Sequence, residues 1–290
     1  MDQNTVPVLE EILQGKRRAM AKAITLLEST HSESFEQGQD LLESLLPYAG
    51  KSLRIGITGV PGVGKSTFIE AFGLFLIEQG HRVAVLAVDP SSPLTGGSIM
   101  GDKTRMNELA QQQDAFIRPS PSSGILGGVA RKTRETVLIC EAAGYDIVIV
   151  ETVGVGQSET LVASMVDFFL LLMLPNAGDE LQGIKKGILE LADLVVINKS
   201  DGEQESLAKT AQAEYRKALH FLSSTKTSWT PQILRCSALE KRGMDTVWES
   251  AKSYREALLD SGEWEKQRQT QTEKWMWSLV EEGLLRSFHT

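Results

Sequence analysis

Residues 59–66 read Gly-Val-Pro-Gly-Val-Gly-Lys-Ser. An apolar run, Leu53-Arg54-Ile55-Gly56-Ile57-Thr58, stands before them, and a helical pattern from Thr67 to Glu78 follows. Strand, glycine loop, helix is the context in which GxxxxGK[ST] becomes a phosphate-binding loop. Glycines let the chain curl so that successive backbone N–H groups point at one anion. The helix that begins there adds the positive end of its dipole. In this pattern Gly59, Val60, Pro61, Gly62, Val63, Gly64, Lys65, Ser66 and Thr67 wrap the phosphates. Lys65 reaches the β and γ phosphates, and Ser66 offers a hydroxyl to Mg²⁺. The competing reading, a glycine-rich turn without a ligand, is disfavoured by the flanks.

Outward from this loop the pattern alternates. Strand-like runs fall at 53–58, 82–88, 115–118, 146–150, 168–174, 194–198 and 233–236, most of them continuous and aliphatic. Such runs suit strands buried on both faces. Helical stretches lie between them, at 127–143, 179–191 and 203–221. The expected fold class is α/β: a P-loop NTPase with a mostly parallel central sheet flanked by helices. Ligands in such folds sit at the carboxyl ends of the strands, where the motifs fall. Ahead of the sheet, residues 7–30 read as one helix and 35–46 as a second that stops at Pro47. The expected division is an N-terminal helical extension at 1–50, a nucleotide-binding domain at 51–258 and a C-terminal helix at 259–290. The stretch 89–121 is rich in Pro, Ser and Gly, and a loop of that length reads as functional.

The 290-residue chain is 41% hydrophobic and 23% charged, ordinary for a globular protein. A net charge of −8 argues against nucleic acid or a membrane surface as partner, since both need a basic face. Cys140 and Cys236 form no CxxC or CxxH pattern and read as thiols in a reducing compartment. The N-terminus shows no basic-then-apolar signal, and the run Phe168–Leu174 is far too short to span a bilayer. The expected location is cytoplasmic.

Three further motifs fall at strand ends. Asn198-Lys199-Ser200-Asp201 is the NKxD pattern. An aspartate there accepts from the ring N–H and the exocyclic amine of guanine, a pair that adenine does not offer. Asn198 would tie the base loop to the phosphate loop, and the Lys199 stem would cover a face of the base. Ser237-Ala238 follows a later strand and completes such a base pocket in many proteins. Residues 146–154 form an apolar strand ending in Glu151, with Gly154 placed to offer an N–H to the γ-phosphate. Glu151 stands where many GTPases carry Asp, so it meets Mg²⁺ either directly or through a water. Val155 follows Gly154 where Ras-like proteins place a water-orienting Gln; the nearest is Gln157. This implies slow intrinsic hydrolysis that needs a rearrangement or a partner. Asp89 ends another strand and Asp102 lies in the long loop; either can serve Mg²⁺ or its waters. The candidate catalytic set is Lys65, Asp89, Asp102 and Glu151, and the candidate metal set is Ser66, Asp89, Asp102 and Glu151.

All five Trp residues follow residue 228, and the last helix, 263–288, carries three of them. Trp275 and Trp277 cannot share one helix face. Two readings stay open: a helix docked on its own core, or an arm that builds a homodimer.

Together these residues resemble the ArgK/MeaB family of P-loop GTPases, accessory proteins of methylmalonyl-CoA mutase. The matching strings are GITGVPGVGKST (56–67), VLAVDPSSPLTGGSIMGDKTRM (85–106), RPSPSSGILGGVARKT (118–133), DIVIVETVGVGQSE (146–159), AGDELQGIKKGILELADLVVINKSDG (177–202) and WMWSLVEEGL (275–284). The resemblance implies a fold related to signal-recognition-particle and nitrogenase-iron-protein NTPases, with a C-terminal dimerisation arm. It implies GTP and Mg²⁺ binding, and roles for Asp89, Asp102 and Glu151 in metal binding or hydrolysis. It also implies a chaperone that gates cobalamin loading and protects an adenosylcobalamin-dependent acyl-CoA mutase. Residues 176–187 would couple nucleotide state to the mutase; the usual Gly at their start is Asn176 here. Members have also been labelled kinases or ATPases of a lysine/arginine/ornithine transport system. The Asp201 motif speaks against ATP. A nickel-inserting GTPase would carry His-rich or Cys/His sites; this chain has four His and two distant Cys.

Overall fold

The computed structural model describes residues 5–29, 31–88, 106–119, 126–152, 158–175, 186–222 and 228–289. Seven strands form one sheet: β1 (Leu53–Gly59), β2 (Val83–Val88), β3 (Ala115–Pro119), β4 (Ile147–Thr152), β5 (Phe168–Met173), β6 (Leu194–Ile197) and β7 (Gln232–Arg235). Their order is β3-β2-β4-β1-β5-β6-β7, and every pairing is parallel. Each strand is therefore joined to the next by a crossover, and helices cover both faces. This is why β4, β5 and β6 are buried at every position and read as unbroken aliphatic runs.

One face packs on helix Lys65–Glu78 and helix Met244–Ser261 through Phe68, Phe72, Leu76, Val247 and Trp248. The opposite face carries helix Leu126–Ala142, with the N-terminal helices beyond it joining the same apolar cluster. A third cluster wraps β6 with helix Gln204–Leu222 around Tyr215. Among the described residues no helix is long and apolar enough to cross a membrane.

Several elements differ from the sequence reading, a short helix at Ser158–Ala163 among them. The single helix expected over 7–30 is two, Thr5–Leu13 and Arg17–Glu28. Gly15 separates them at φ +71°, a conformation costly for any residue with a Cβ. The apolar spacing runs through the break because Ile12, Met20, Ile24 and Leu27 all face the same cluster. Helix Met244–Ser261 went unread, although Met244, Val247, Trp248, Ala251, Tyr254 and Leu258 have helical spacing. Left-handed glycines, Gly243 and Gly262, bound it. The long stretch at 89–121 also includes a short helix, Asn107–Gln111, ahead of β3.

The amino-terminal pole of the sheet is held by buried ion pairs. Arg54 Nε and Nη2 donate to the two oxygens of Glu141 at 2.8 and 2.9 Å. Glu141 also accepts from Ser52 Oγ at 2.6 Å and Gly50 N at 2.7 Å. Arg54 and these donors hold Glu141 below the usual carboxylate range against the desolvation that opposes them. The terminal helix, Glu263–His289, is tied to the same pole: Arg268 grips Asp167 at 2.8 and 2.7 Å and donates to Ser52 O at 2.5 Å.

Asp193, which precedes β6, differs in making no ion pair among the described residues. It accepts from Phe169 N at 2.8 Å and lines a cavity of about 490 Å³ with Trp229 and Tyr254. Burial pushes its carboxyl up from 3.8 to about 7. A raised folded-state value means that its favourable contribution is complete below about pH 4. That contribution is lost as pH rises through about 7. Asp193→Asn keeps an acceptor for Phe169 N–H and removes the charge. The variant is expected to melt higher than the parent at pH 8, with the difference gone at pH 4. Equal melting temperatures at pH 8 would contradict this.

Candidate nucleotide site

β1 is the central strand by pairing, with β4 on one side and β5 on the other. The glycine loop leaves its carboxyl end between their ends. Gly59 sits against β5: a Cβ there would lie 2.5 Å from Leu172 O, so only glycine fits. Gly62 and Gly64 are left-handed, at φ +80° and +89°. A Cβ on Gly62 would meet nothing within 4 Å, while one on Gly64 would stand 3.1 Å from Asn198 Nδ2. Val63 anchors the loop from beneath, fully buried. Helix Lys65–Glu78 starts at Gly64 with no side-chain cap. Its first-turn N–H groups therefore remain for an external acceptor. An open, glycine-walled concavity at an uncapped helix start fits a phosphate group.

Lys65 Nζ donates to Gly59 O at 2.8 Å and lies 3.5 Å from Val60 O. Burial lowers its pKa, while the carboxylates of Glu151 and Glu159 act in the opposite sense. Glu151, next to last in β4, stands opposite Ile57 of β1 and Ala87 of β2, and its carboxylate acts on Lys65 from the neighbouring strand. Thr152 Oγ1 donates to Thr58 Oγ1 at 2.7 Å in full burial, pinning the end of β4 to the start of the loop.

Asn198 connects the second loop to the first. Its Nδ2 donates to Val63 O at 2.9 Å, and its Oδ1 accepts from Ala238 N at 3.0 Å and Cys236 Sγ at 3.4 Å. One buried amide thus joins the loops after β1, β6 and β7. Burial pushes the Cys236 thiol up to about 12, so it stays protonated and can donate. Lys199 is left-handed at φ +56°, an unusual state for a residue with a Cβ. Ser237 Oγ donates to Asp201 Oδ2 at 2.5 Å and accepts from Glu240 N at 3.1 Å. Arg242 Nη2 donates to Ser200 O at 2.6 Å, bracing the turn.

Lys65, Ser66, Glu151, Asn198, Asp201, Ser237 and Ala238 therefore converge at the carboxyl edge of the sheet. Asp89, Asp102, Gly154 and Gln157 lie outside the described residues. Among the described residues no group of three or more His, Cys, Asp or Glu is arranged for a metal ion. Sequence reading missed the Thr58–Thr152 pair, whose signal is only a hydroxyl at each strand end. It also missed Glu159, which is 1% exposed. An acid five residues beyond Gly154 in sequence was its only signal.

A glycine cradle between the central strand of a parallel sheet and a helix that opens on its lysine, beside a strand with an acid near its end, defines a P-loop nucleoside triphosphatase. The family can be stated as well. The model for "Methylmalonyl Co-A mutase-associated GTPase MeaB" matches residues 20–290, and the chain belongs to that family. It is 54% identical over 277 residues to "GTPase ArgK" of Escherichia coli (strain K12), covering 96% of this chain and 84% of that protein. It is 52% identical over 289 residues to "Methylmalonic aciduria type A homolog, mitochondrial" of Mus musculus, covering 96% and 70%. A solved structure described as "LAO/AO transport system kinase" superposes with a TM-score of 0.85 at 45% identity, covering 99% of this chain and 86% of that one. The chain is a GTPase by family and fold.

Proposed function

We propose that the protein is a GTP-switched chaperone for an adenosylcobalamin-dependent acyl-CoA mutase. The observation that carries this is the family itself, described as mutase-associated, with a mouse relative named for methylmalonic aciduria. In this reading the N–H groups of residues 59–67 bind the phosphates, Lys65 neutralises the β and γ oxygens, and Asp201 reads guanine. The bond from Asn198 to Val63 O supports it, because it fixes the distance between base loop and phosphate loop. Ser66 and Glu151, with Asp89 and Asp102, would hold Mg²⁺. When bound, that ion supplies positive charge to the phosphate oxygens. With Val155 in place of a water-orienting Gln, intrinsic hydrolysis is slow and the protein is a timer. The solved relative described as a transport-system kinase has the same fold.

The test is affinity capture from the native cell with the protein loaded with GDP or with a non-hydrolysable GTP analogue. The expected result is recovery of a cobalamin-dependent mutase in one nucleotide state and not the other. Recovery in neither state, with folded and loaded bait, would sink the proposal.

The terminal helix supports a homodimer. Trp264, Arg268 and Gln271 pack on the pole of the sheet, whereas Met276, Trp277, Val280 and Leu284 are 50%, 61%, 44% and 55% exposed. A stripe at this spacing matches a helix-on-helix contact. Val280→Glu with Met276→Glu is expected to give monomers in sedimentation without lowering the melting temperature. A persisting dimer would place the interface elsewhere.

A further inference from the structure

Arg54, Arg134 and Arg268 lie together beside the start of β1, and among the described residues only two of the three have a carboxylate. Arg54 is paired with Glu141 and Arg268 with Asp167. Among the described residues Arg134, from helix Leu126–Ala142, donates only to neutral acceptors: Gln271 O at 3.0 Å, Ser164 O at 3.0 Å and Ser164 Oγ at 3.1 Å. Its Nε makes no hydrogen bond among the described residues. Burial, and then the charge of Arg54, lowers its pKa to about 10, and no acid acts in the other direction. A cation taken out of water without an anion is costly, and proteins rarely retain one unless something pairs with it.

A second orphan stands beside it. Trp275 Nε1 is buried without a hydrogen-bond partner. Indole N–H groups normally find an acceptor when buried. Arg134 and Trp275 both line a cleft of about 80 Å³, together with Arg54, Val137, Leu138 and Met165. The cleft lies at the start of β1. The phosphate loop is at the end of that strand, five residues on and about 16 Å away at ~3.3 Å per residue.

We propose that this cleft binds a carboxylate. One uncompensated positive charge calls for one negative charge, which favours a carboxylate over a phosphate dianion. The planar fork of a guanidinium matches a carboxylate, and the free indole N–H adds a donor. The apolar walls from Val137, Leu138 and Met165 suit a short alkyl stem behind the acid. The volume admits such a group and excludes a nucleotide. The acid can come from a small free molecule or from an Asp or Glu of a second copy of this chain; the chemistry at the cleft is the same.

The test is an acetate titration of the full chain, with Mg²⁺ and GDP present to fill the phosphate loop and chloride as the ionic-strength control. The readout is the indole ¹⁵N–¹H spectrum of the five Trp residues. Trp275→Phe identifies the Trp275 signal. That signal is expected to move downfield and saturate with acetate but not with chloride. Arg134→Gln is expected to weaken the acetate affinity at least tenfold, and Arg134→Lys, which keeps the charge but not the fork, by less. A Trp275 signal that neither saturates with acetate nor moves on dilution, or one that responds equally in Arg134→Gln, would overturn the proposal. The wild-type titration decides even if the Arg134 variants do not fold. Dilution without acetate separates the sources: a signal already at the bound position that moves on dilution assigns the acid to a second copy. One that ignores dilution and answers acetate assigns it to a small free acid.

Discussion

Replacing Lys65 by alanine is expected to weaken GTP binding by roughly a hundredfold, about 3 kcal/mol, with the fold intact. The fold should survive because, among the described residues, Lys65 Nζ donates only to loop carbonyls, Gly59 O at 2.8 Å and Val60 O at 3.5 Å. The loop conformation rests on other contacts. Asn198 holds Val63 O, the Thr58–Thr152 pair holds the strand ends, and the left-handed states belong to Gly62 and Gly64. The lysine is thus a charge mounted on a loop that stands without it. Burial already lowers its pKa, and the acids Glu151 and Glu159 oppose that shift. A triphosphate would raise the pKa further, so charge-assisted bonds to the β and γ oxygens are what the variant loses. Fluorescence titration with a labelled GTP analogue measures this, beside circular dichroism on the same sample. Affinity within threefold of wild type would remove Lys65 from the phosphate site.

The sheet was legible in the sequence because parallel strands covered on both faces leave continuous aliphatic runs, and each of the seven lay within two residues of its expected place. The helix break at Gly15 was not, since both halves present apolar residues to one cluster and a periodicity count cannot see a φ of +71°. Helix Met244–Ser261 carried an adequate signal in its spacing and its bounding glycines. The phosphate and base loops were legible because their chemistry is local: a few consecutive residues hold each geometry. What supports them is not local. Asn198 meets Ala238 forty residues away and Val63 at a separation of 135. Arg268 meets Asp167 at a separation of 101. Such pairs arise only when the crossovers close, and no spacing rule encodes them. Arg134 is half such a case: its sequence shows Leu138 at the position where Arg131 has Glu135, one turn on at 2.9 Å, but no spacing rule shows which distant groups the fold brings to it.

Asp201→Asn is expected to exchange guanosine for xanthosine preference, changing the GDP to XDP affinity ratio by about a hundredfold or more. The direction follows from the hydrogen bonds of Ser237. Its Oγ accepts from Glu240 N–H at 3.1 Å and donates its own proton to Asp201 Oδ2 at 2.5 Å. That donor stays in place when the carboxylate becomes an amide. The amide oxygen must then take the Oδ2 position, which turns the amide NH₂ toward the base. Guanine presents its own N–H donors there, so donor meets donor and both lose their partners. Xanthine carries a carbonyl in place of the exocyclic amine and accepts from the amide. Ser237→Ala removes the constraint on amide orientation and should halve neither affinity by itself in the Asp201 protein. In the double variant it should reduce the preference for XDP, because the amide can then flip. Competition binding of GDP and XDP to the wild-type, single and double variants reads all of this. An unchanged ratio in Asp201→Asn would detach the loop after β6 from base recognition, and an unchanged ratio between single and double variants would detach Ser237 from its orientation.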